Sequence, residues 1–270
     1  MDEHDPAPSA VEVHPQRTVV ITGGVHGIGR AVSERLACGG ARVAILDVDA
    51  VGATEAADRA RGLGAAAAVG IACDVGDDAS VGSAIDRVES SLGPIDWLVA
   101  NAGIDVGGLA HEIGWQVWER VLAVNLSGTF SVCRHVIRGM VAAGRPGSIV
   151  CTSSPAAEVA LPRSPAYSAS KAGVSALVRG LAVDYAVHGI RVNAVAPGPT
   201  DTALMWANSA PDERERIMAT VASEVPLGRL ATPAEIAEAI VWLLSERATY
   251  VTGAVLACDG GVLAKASVSV

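Results

Sequence analysis

From Arg17 onward, short runs of β-branched and other apolar residues alternate with longer stretches in which apolar positions recur every three or four residues. Uninterrupted apolar runs suit strands buried on both faces, and the longer period suits the helices that cover them. Strands are expected at 17–22, 41–47, 66–74, 95–101, 147–153, 190–196 and 254–259. Helices are expected near 27–38, 49–63, 77–92, 113–143, 166–188 and 232–246. This alternation is the pattern of repeated βα units around a parallel sheet, so the fold class is α/β.

Local chemistry supports the helix starts. Asp77 and Thr232 stand where N-caps are needed, and Thr232 is followed by Pro233 and, at the third helical position, Glu235. The interval 199–226 breaks the rhythm with Pro, Asn, Ser and the charged run DERER, and reads as an inserted helical lid. Residues 1–16, MDEHDPAPSAVEVHPQ, lack an apolar period and a basic-then-apolar signal, and read as a flexible leader in which His4 and His14 are solvated. No linker divides the remainder, so 17–270 is expected to be one domain.

Composition narrows the function. Half the 270 residues are apolar and the mean hydropathy is +0.38, yet no apolar run approaches the roughly 20 residues of a membrane span. A net charge of −9 without a basic stripe argues against nucleic acid and leaves a small molecule as the expected partner. Cys38, Cys73, Cys133, Cys151 and Cys258 show no metal-ligand spacing and read as small apolar fillers in a reducing, cytoplasmic compartment, so no metal site is expected.

Candidate chemistry sits where strands end. After the first strand comes TGGVHGIG (22–29), whose Gly23, Gly27 and Gly29 suit a turn that brings backbone N–H groups and a helix N-terminus to a phosphate. The spacing is Gly-x-x-x-Gly-x-Gly, with His26 and Ile28 inside the turn. Asp47, eighteen residues beyond Gly29 and followed by Val48, can accept both hydroxyls of an adenosine ribose and repel a 2′-phosphate, which favours NAD over NADP. Asp49 is free to cap the next helix. Asp74 and Val75, then Asn101, Ala102 and Gly103, end the third and fourth strands and fall along the crevice where an open parallel sheet binds ligand.

The segment SPAYSASKAG (164–173) puts Tyr167 and Lys171 one helical turn apart in a chain with only three Tyr and one Phe. By itself this fits a surface helix whose Lys reaches water.

In this company the sequence resembles a compact, single-domain short-chain dehydrogenase/reductase. The resemblance runs from Arg17 to about Val262 through TGGVHGIG, Asp74, NAG, VNLSGTF, IVCTSS, YSASK, PGPTDT and TGAVLACDGG. It implies a Rossmann-type doubly wound domain with a seven-stranded parallel sheet in the order 3-2-1-4-5-6-7. It implies Asn125, Ser154, Tyr167 and Lys171 as the catalytic set, and Pro197, Gly198, Thr200 and Thr202 against carboxamide and phosphates. Tyr167 would exchange the alcohol proton, Ser154 would bind the substrate oxygen, Lys171 would hold the nicotinamide ribose, and Asn125 would fix a water leading to solvent. A tyrosine acting near neutral pH needs a lowered pKa, which Lys171 and a positive nicotinamide can provide. Relatives also imply a homotetramer joined through helices 113–143 and 166–188 and the last strand.

The expected activity is therefore NAD-dependent interconversion of a secondary alcohol and a ketone. An NADPH-dependent β-ketoacyl-type reductase and a non-catalytic dinucleotide-binding regulator stand as alternatives. Near the serine, Pro155 and Glu158 depart from relatives and suggest a stiffer, more charged substrate loop. Leu161, Leu204, Met205 and Trp206 offer an apolar wall for a cyclic or hydrophobic substrate, or simply pack the lid onto the body.

Overall fold

The computed structural model describes residues 16–207 and 211–265, so the leader lies outside it except for Gln16, and 208–210 of the expected lid lie outside as well. Seven strands form one parallel sheet in the order 3-2-1-4-5-6-7: β1 (Thr18–Thr22), β2 (Arg42–Asp47), β3 (Ala67–Ala72), β4 (Trp97–Ala100), β5 (Gly147–Thr152), β6 (Ile190–Pro197) and β7 (Val255–Cys258). Strand ends differ from the expected ones by no more than two residues. The order reverses between β1 and β4, which opens a crevice at their carboxyl ends.

Helices α1 (Gly27–Cys38), α2 (Ala50–Gly62), α3 (Asp78–Leu92), α4 (Trp115–Leu122), α5 (Gly128–Ala142), α6 (Pro165–Tyr185), α7 (Ala203–Trp206), α8 (Arg214–Glu224) and α9 (Pro233–Leu244) follow in chain order. Alternation along β1 splits the core. Val19 and Ile21 join the cluster of α1, α2 and α9, whereas Val20 joins the cluster of α3, α5 and α6. Expected caps are in place: Asp77 Oδ1 accepts from the Ala79 N–H at 3.0 Å, Asp49 Oδ1 from Gly52 at 2.9 Å, and Thr232 with Glu235 forms a capping box.

Two expectations need correction. The single helix at 113–143 is two helices joined by a π turn over Ala123–Ser127, which turns Asn125 inward to bonds that a regular helix would not give it. Cys38 is exposed at the end of α1, so the reading of every cysteine as a small apolar filler fails there; Cys73, Cys133 and Cys151 are buried and Cys258 is half-buried.

Candidate active site

A cavity of about 930 Å³ lies along the carboxyl ends of the strands, at the upper end of the size of small-molecule sites. The glycine turn forms one end. Thr22 Oγ1 accepts from the N–H groups of Asn101 and Ala102, at 3.0 and 3.1 Å, and so locks the end of β1 to that of β4. Gly23 has φ +63°, and a Cβ there would lie 2.9 Å from the Ala102 Cα. Gly29 lies behind the lining, where a Cβ would run into the Gly23 carbonyl oxygen, so α1 begins pressed against the turn. Gly23, His26, Gly27 and Ile28 line the cavity, and the N-cap His26 makes no side-chain cap, which leaves the first-turn amides of α1 for an anion. These features fit the pyrophosphate of a dinucleotide.

Asp47 and Val48 line the same end. Asp47 accepts from the Val25 N–H at 3.3 Å and the Asp49 N–H at 3.2 Å, which fixes its carboxylate and leaves further lone pairs for ribose hydroxyls. Asp74 and Val75 lie farther along, with Asp74 bonded to the Gly76 N–H at 2.9 Å and to Arg120 at 3.1 Å. Arg120 lines the cavity too; the sequence reading missed it, and a single arginine within a helical period carried no signal of its own. Between these ends, Asn101 donates to the Thr22 and Gly23 carbonyls at 3.2 Å each, and Ala102 and Gly103 continue the wall. Pro197, Gly198, Thr200 and Thr202 close the opposite side, where Thr202 caps α7.

Helix α6 carries Tyr167 and Lys171, and the 3₁₀ turn after β5 carries Ser154, whose Oγ accepts from the Ala156 N–H at 3.1 Å. All three line the cavity. Lys171 is not the solvated lysine of a surface helix: it is 3% exposed, and its Nζ donates to the Thr152 carbonyl at 2.7 Å. Burial pushes its pKa down to about 8. The Nζ also sits 5.5 Å from the centroid of the Tyr167 ring.

The expectation that Lys171 lowers the Tyr167 pKa does not hold in this arrangement. Burial raises the phenol pKa first, the nearby Asp105 carboxylate raises it further, and only the hydrogen bond from Ser154 opposes them. Asn125 does not reach the cavity. Fully buried, it accepts from the Ile104 N–H at 2.8 Å and donates to the Ile104 carbonyl at 2.9 Å and to Ser170 Oγ at 3.0 Å. It clamps the chain just beyond Gly103.

Of the residues expected at the substrate end, Leu161, Leu204 and Met205 line the cavity. Glu158 is exposed outside it, because the 3₁₀ turn ends there and aims it at solvent. Trp206 is also outside, its indole N–H donating to Asp201 at 2.8 Å and its ring stacked 4.5 Å from the Arg214 guanidinium. Asp105, Val159, Val221 and Glu224 line this end unforeseen. A carboxylate five residues past the end of β4, just beyond the Asn101-Ala102-Gly103 stretch, was a signal for Asp105; Val221 and Glu224 carried none.

A glycine-rich strand-to-helix turn, a carboxylate closing the second strand and a phenol one turn from a buried lysine define a dinucleotide-binding oxidoreductase site. The chain belongs to the short-chain dehydrogenase/reductase family, and is an oxidoreductase of CH–OH groups that uses a nicotinamide dinucleotide. A family model described as enoyl-(acyl carrier protein) reductase matches residues 23–263. The chain is 45% identical over 94% of its length to 99% of a cis-4-hydroxycyclohexanecarboxylate dehydrogenase from Sinomonas cyclohexanicum. It is 40% identical over 92% of its length to 94% of a D-threitol dehydrogenase from Mycolicibacterium smegmatis. The crystal structure of levodione reductase superposes with a TM-score of 0.89 at 31% identity, covering 93% of this chain and 99% of that one. Among the described residues no helix is long and apolar enough to cross a membrane.

Proposed function

We propose that the protein is an NAD(H)-dependent dehydrogenase that interconverts a secondary alcohol and a ketone on a small cyclic or hydrophobic molecule. The grouping of Ser154, Tyr167 and Lys171 around one cavity, with the glycine turn and Asp47 at its other end, carries this reading. Tyr167 Oη takes the hydroxyl proton in oxidation and returns it in reduction, while Ser154 Oγ holds the substrate oxygen. NAD⁺, when bound, would supply the hydride acceptor and a positive charge that favours the ionised phenol. Lys171 holds the nicotinamide ribose, and Asn125 keeps the chain beyond Gly103 in register with the π turn behind it. Asp47 selects NAD by offering the ribose a fixed carboxylate, which a 2′-phosphate would meet as a like charge.

Exposed Phe130 on α5, with Val183 and Val187 on and just after α6, supports a homotetramer built on these helices, and the unpaired cysteines support a cytoplasmic setting. The segment 199–226, with α7 and α8, serves as the substrate lid. The description of the matching family model favours a second reading, reduction of an acyl-carrier substrate; in that reading the reductant is NADPH.

The test is a panel of secondary alcohols and ketones assayed with both nucleotides on the wild type and on Tyr167→Phe. Wild type turns over with NADH in preference to NADPH, and the variant loses about 10²–10⁴ in kcat while its NADH affinity, read by fluorescence, persists. Unchanged turnover in the variant overturns the mechanism, and a preference for NADPH with acyl thioesters establishes the second reading.

A further inference from the structure

Resting on the alcohol/ketone reading above, we propose that Asp105 makes the substrate end of the cavity select uncharged alcohols and ketones and turn away those that carry a carboxylate. Asp105 lies two residues past Gly103 and lines the cavity on the side of Tyr167. Its Oδ2 accepts from Ser164 Oγ at 3.0 Å, and Ser164 is the N-cap of the helix that presents Tyr167 three residues later. Its Oδ1 is shut off from water, so solvent screens the charge poorly. Burial pushes the carboxyl pKa up, while hydrogen bonds from Ser164 and the Val106 amide favour the charged form. The Ser164 bond ties the carboxylate to the first turn of α6, the turn that carries Tyr167, and so puts it within electrostatic reach of the reacting oxygen.

Among the described residues no lysine or arginine of the lining answers it on this side, and Arg163, outside the lining, pairs with Glu112. Among the described residues that line the cavity, the only Lys and Arg are Lys171, bonded to the Thr152 carbonyl, and Arg120, paired with Asp74 at the end of β3. Glu224, on the lid side, adds a second carboxylate. A substrate carboxylate bound beside Tyr167 would lose its hydration and gain no partner. At a separation of roughly 10 Å and an effective dielectric of about 20, repulsion by Asp105 alone is worth about a tenfold loss. The relative from Sinomonas cyclohexanicum is by its name a dehydrogenase of a hydroxy acid, so this chain is expected to part from it in substrate charge despite 45% identity.

The experiment compares kcat/KM for cis-4-hydroxycyclohexanecarboxylate and its methyl ester, which share a ring and a hydroxyl and differ in charge. The ester is favoured by at least about tenfold in the wild type, and Asp105→Asn, which keeps an acceptor for Ser164, shrinks that ratio to about threefold or less. Equal or better use of the acid by the wild type overturns the proposal, as does an unchanged ratio in the variant. Binding of cyclohexanecarboxylate and cyclohexanecarboxamide to the wild-type enzyme with NADH, followed by nucleotide fluorescence, needs neither turnover nor the variant. Tighter binding of the amide upholds the charge selection even if no alcohol is oxidised, which would defeat the alcohol/ketone reading alone; equal or tighter binding of the acid overturns the selection.

Discussion

Lys171 Nζ and the Thr152 carbonyl oxygen are 2.7 Å apart, so an ammonium that is almost wholly buried is held at the end of β5 by one neutral acceptor. Its pKa of about 8 means that the folded protein gives up this proton more readily than the unfolded chain. Below about pH 8 both states are protonated and the cost to stability is complete; as pH rises towards the ordinary lysine value, the cost disappears.

Lys171→Met is therefore expected to stabilise the protein at pH 7 by about 1–3 kcal/mol, raising Tm by several degrees, while it abolishes turnover. Thermal melts of both proteins from pH 7 to 10 check this: the gap should close with rising pH. A variant less stable at pH 7 would show that the Thr152 bond outweighs the burial of the charge.

Asp47→Ser should move cofactor preference. It keeps a short acceptor for the Val25 and Asp49 amides but removes the charge facing the ribose. The kcat/KM ratio of NADH to NADPH is expected to fall by at least about tenfold, mostly through gain with NADPH. Steady-state kinetics with both nucleotides measures it.

Gly29→Ala is predicted to damage nucleotide binding more than folding would suggest. The added methyl must displace the Gly23 carbonyl, which belongs to the phosphate turn itself. A cost of about 2 kcal/mol or more in NADH affinity is expected, about thirtyfold in Kd by fluorescence titration. Gly62→Ala, where nothing lies within 4 Å of the new methyl, is the control and should leave Kd alone.

Asn125→Leu leaves both backbone groups of the partly buried Ile104 without their side-chain partner. It should cost about 3–5 kcal/mol by chemical denaturation and lower kcat. Asn125→Ala with kcat unchanged would show that the clamp is structural only.

The strands were legible from the chain because strands buried on both faces read as unbroken apolar runs, whereas their order in the sheet came from the family resemblance. The cofactor end was legible for a related reason: Gly23, Asp47, Asp74 and Asn101 all lie at strand ends, where sequence position fixes place. The break at Asn125 was not, since VLAVNLSGTF keeps a helical apolar period whether the turn is α or π. Trp206 looked like wall because it is large and apolar, but its N–H found Asp201 and its ring found Arg214, contacts within the segment that periodicity does not report. Asp105 and Glu224 were overlooked because single carboxylates in loops or at helix ends are usually solvated.

The π turn also sets a phase. One residue more than a regular helix rotates everything before it by about 100° relative to everything after it. That rotation lets α5 keep Val132 and Val136 on the sheet while α4 aims Arg120 at Asp74. Removing one residue between Ala123 and Ser127 would restore a smooth helix and point Arg120 elsewhere, so the length of this stretch is fixed by where its two ends must face, whatever residues fill it.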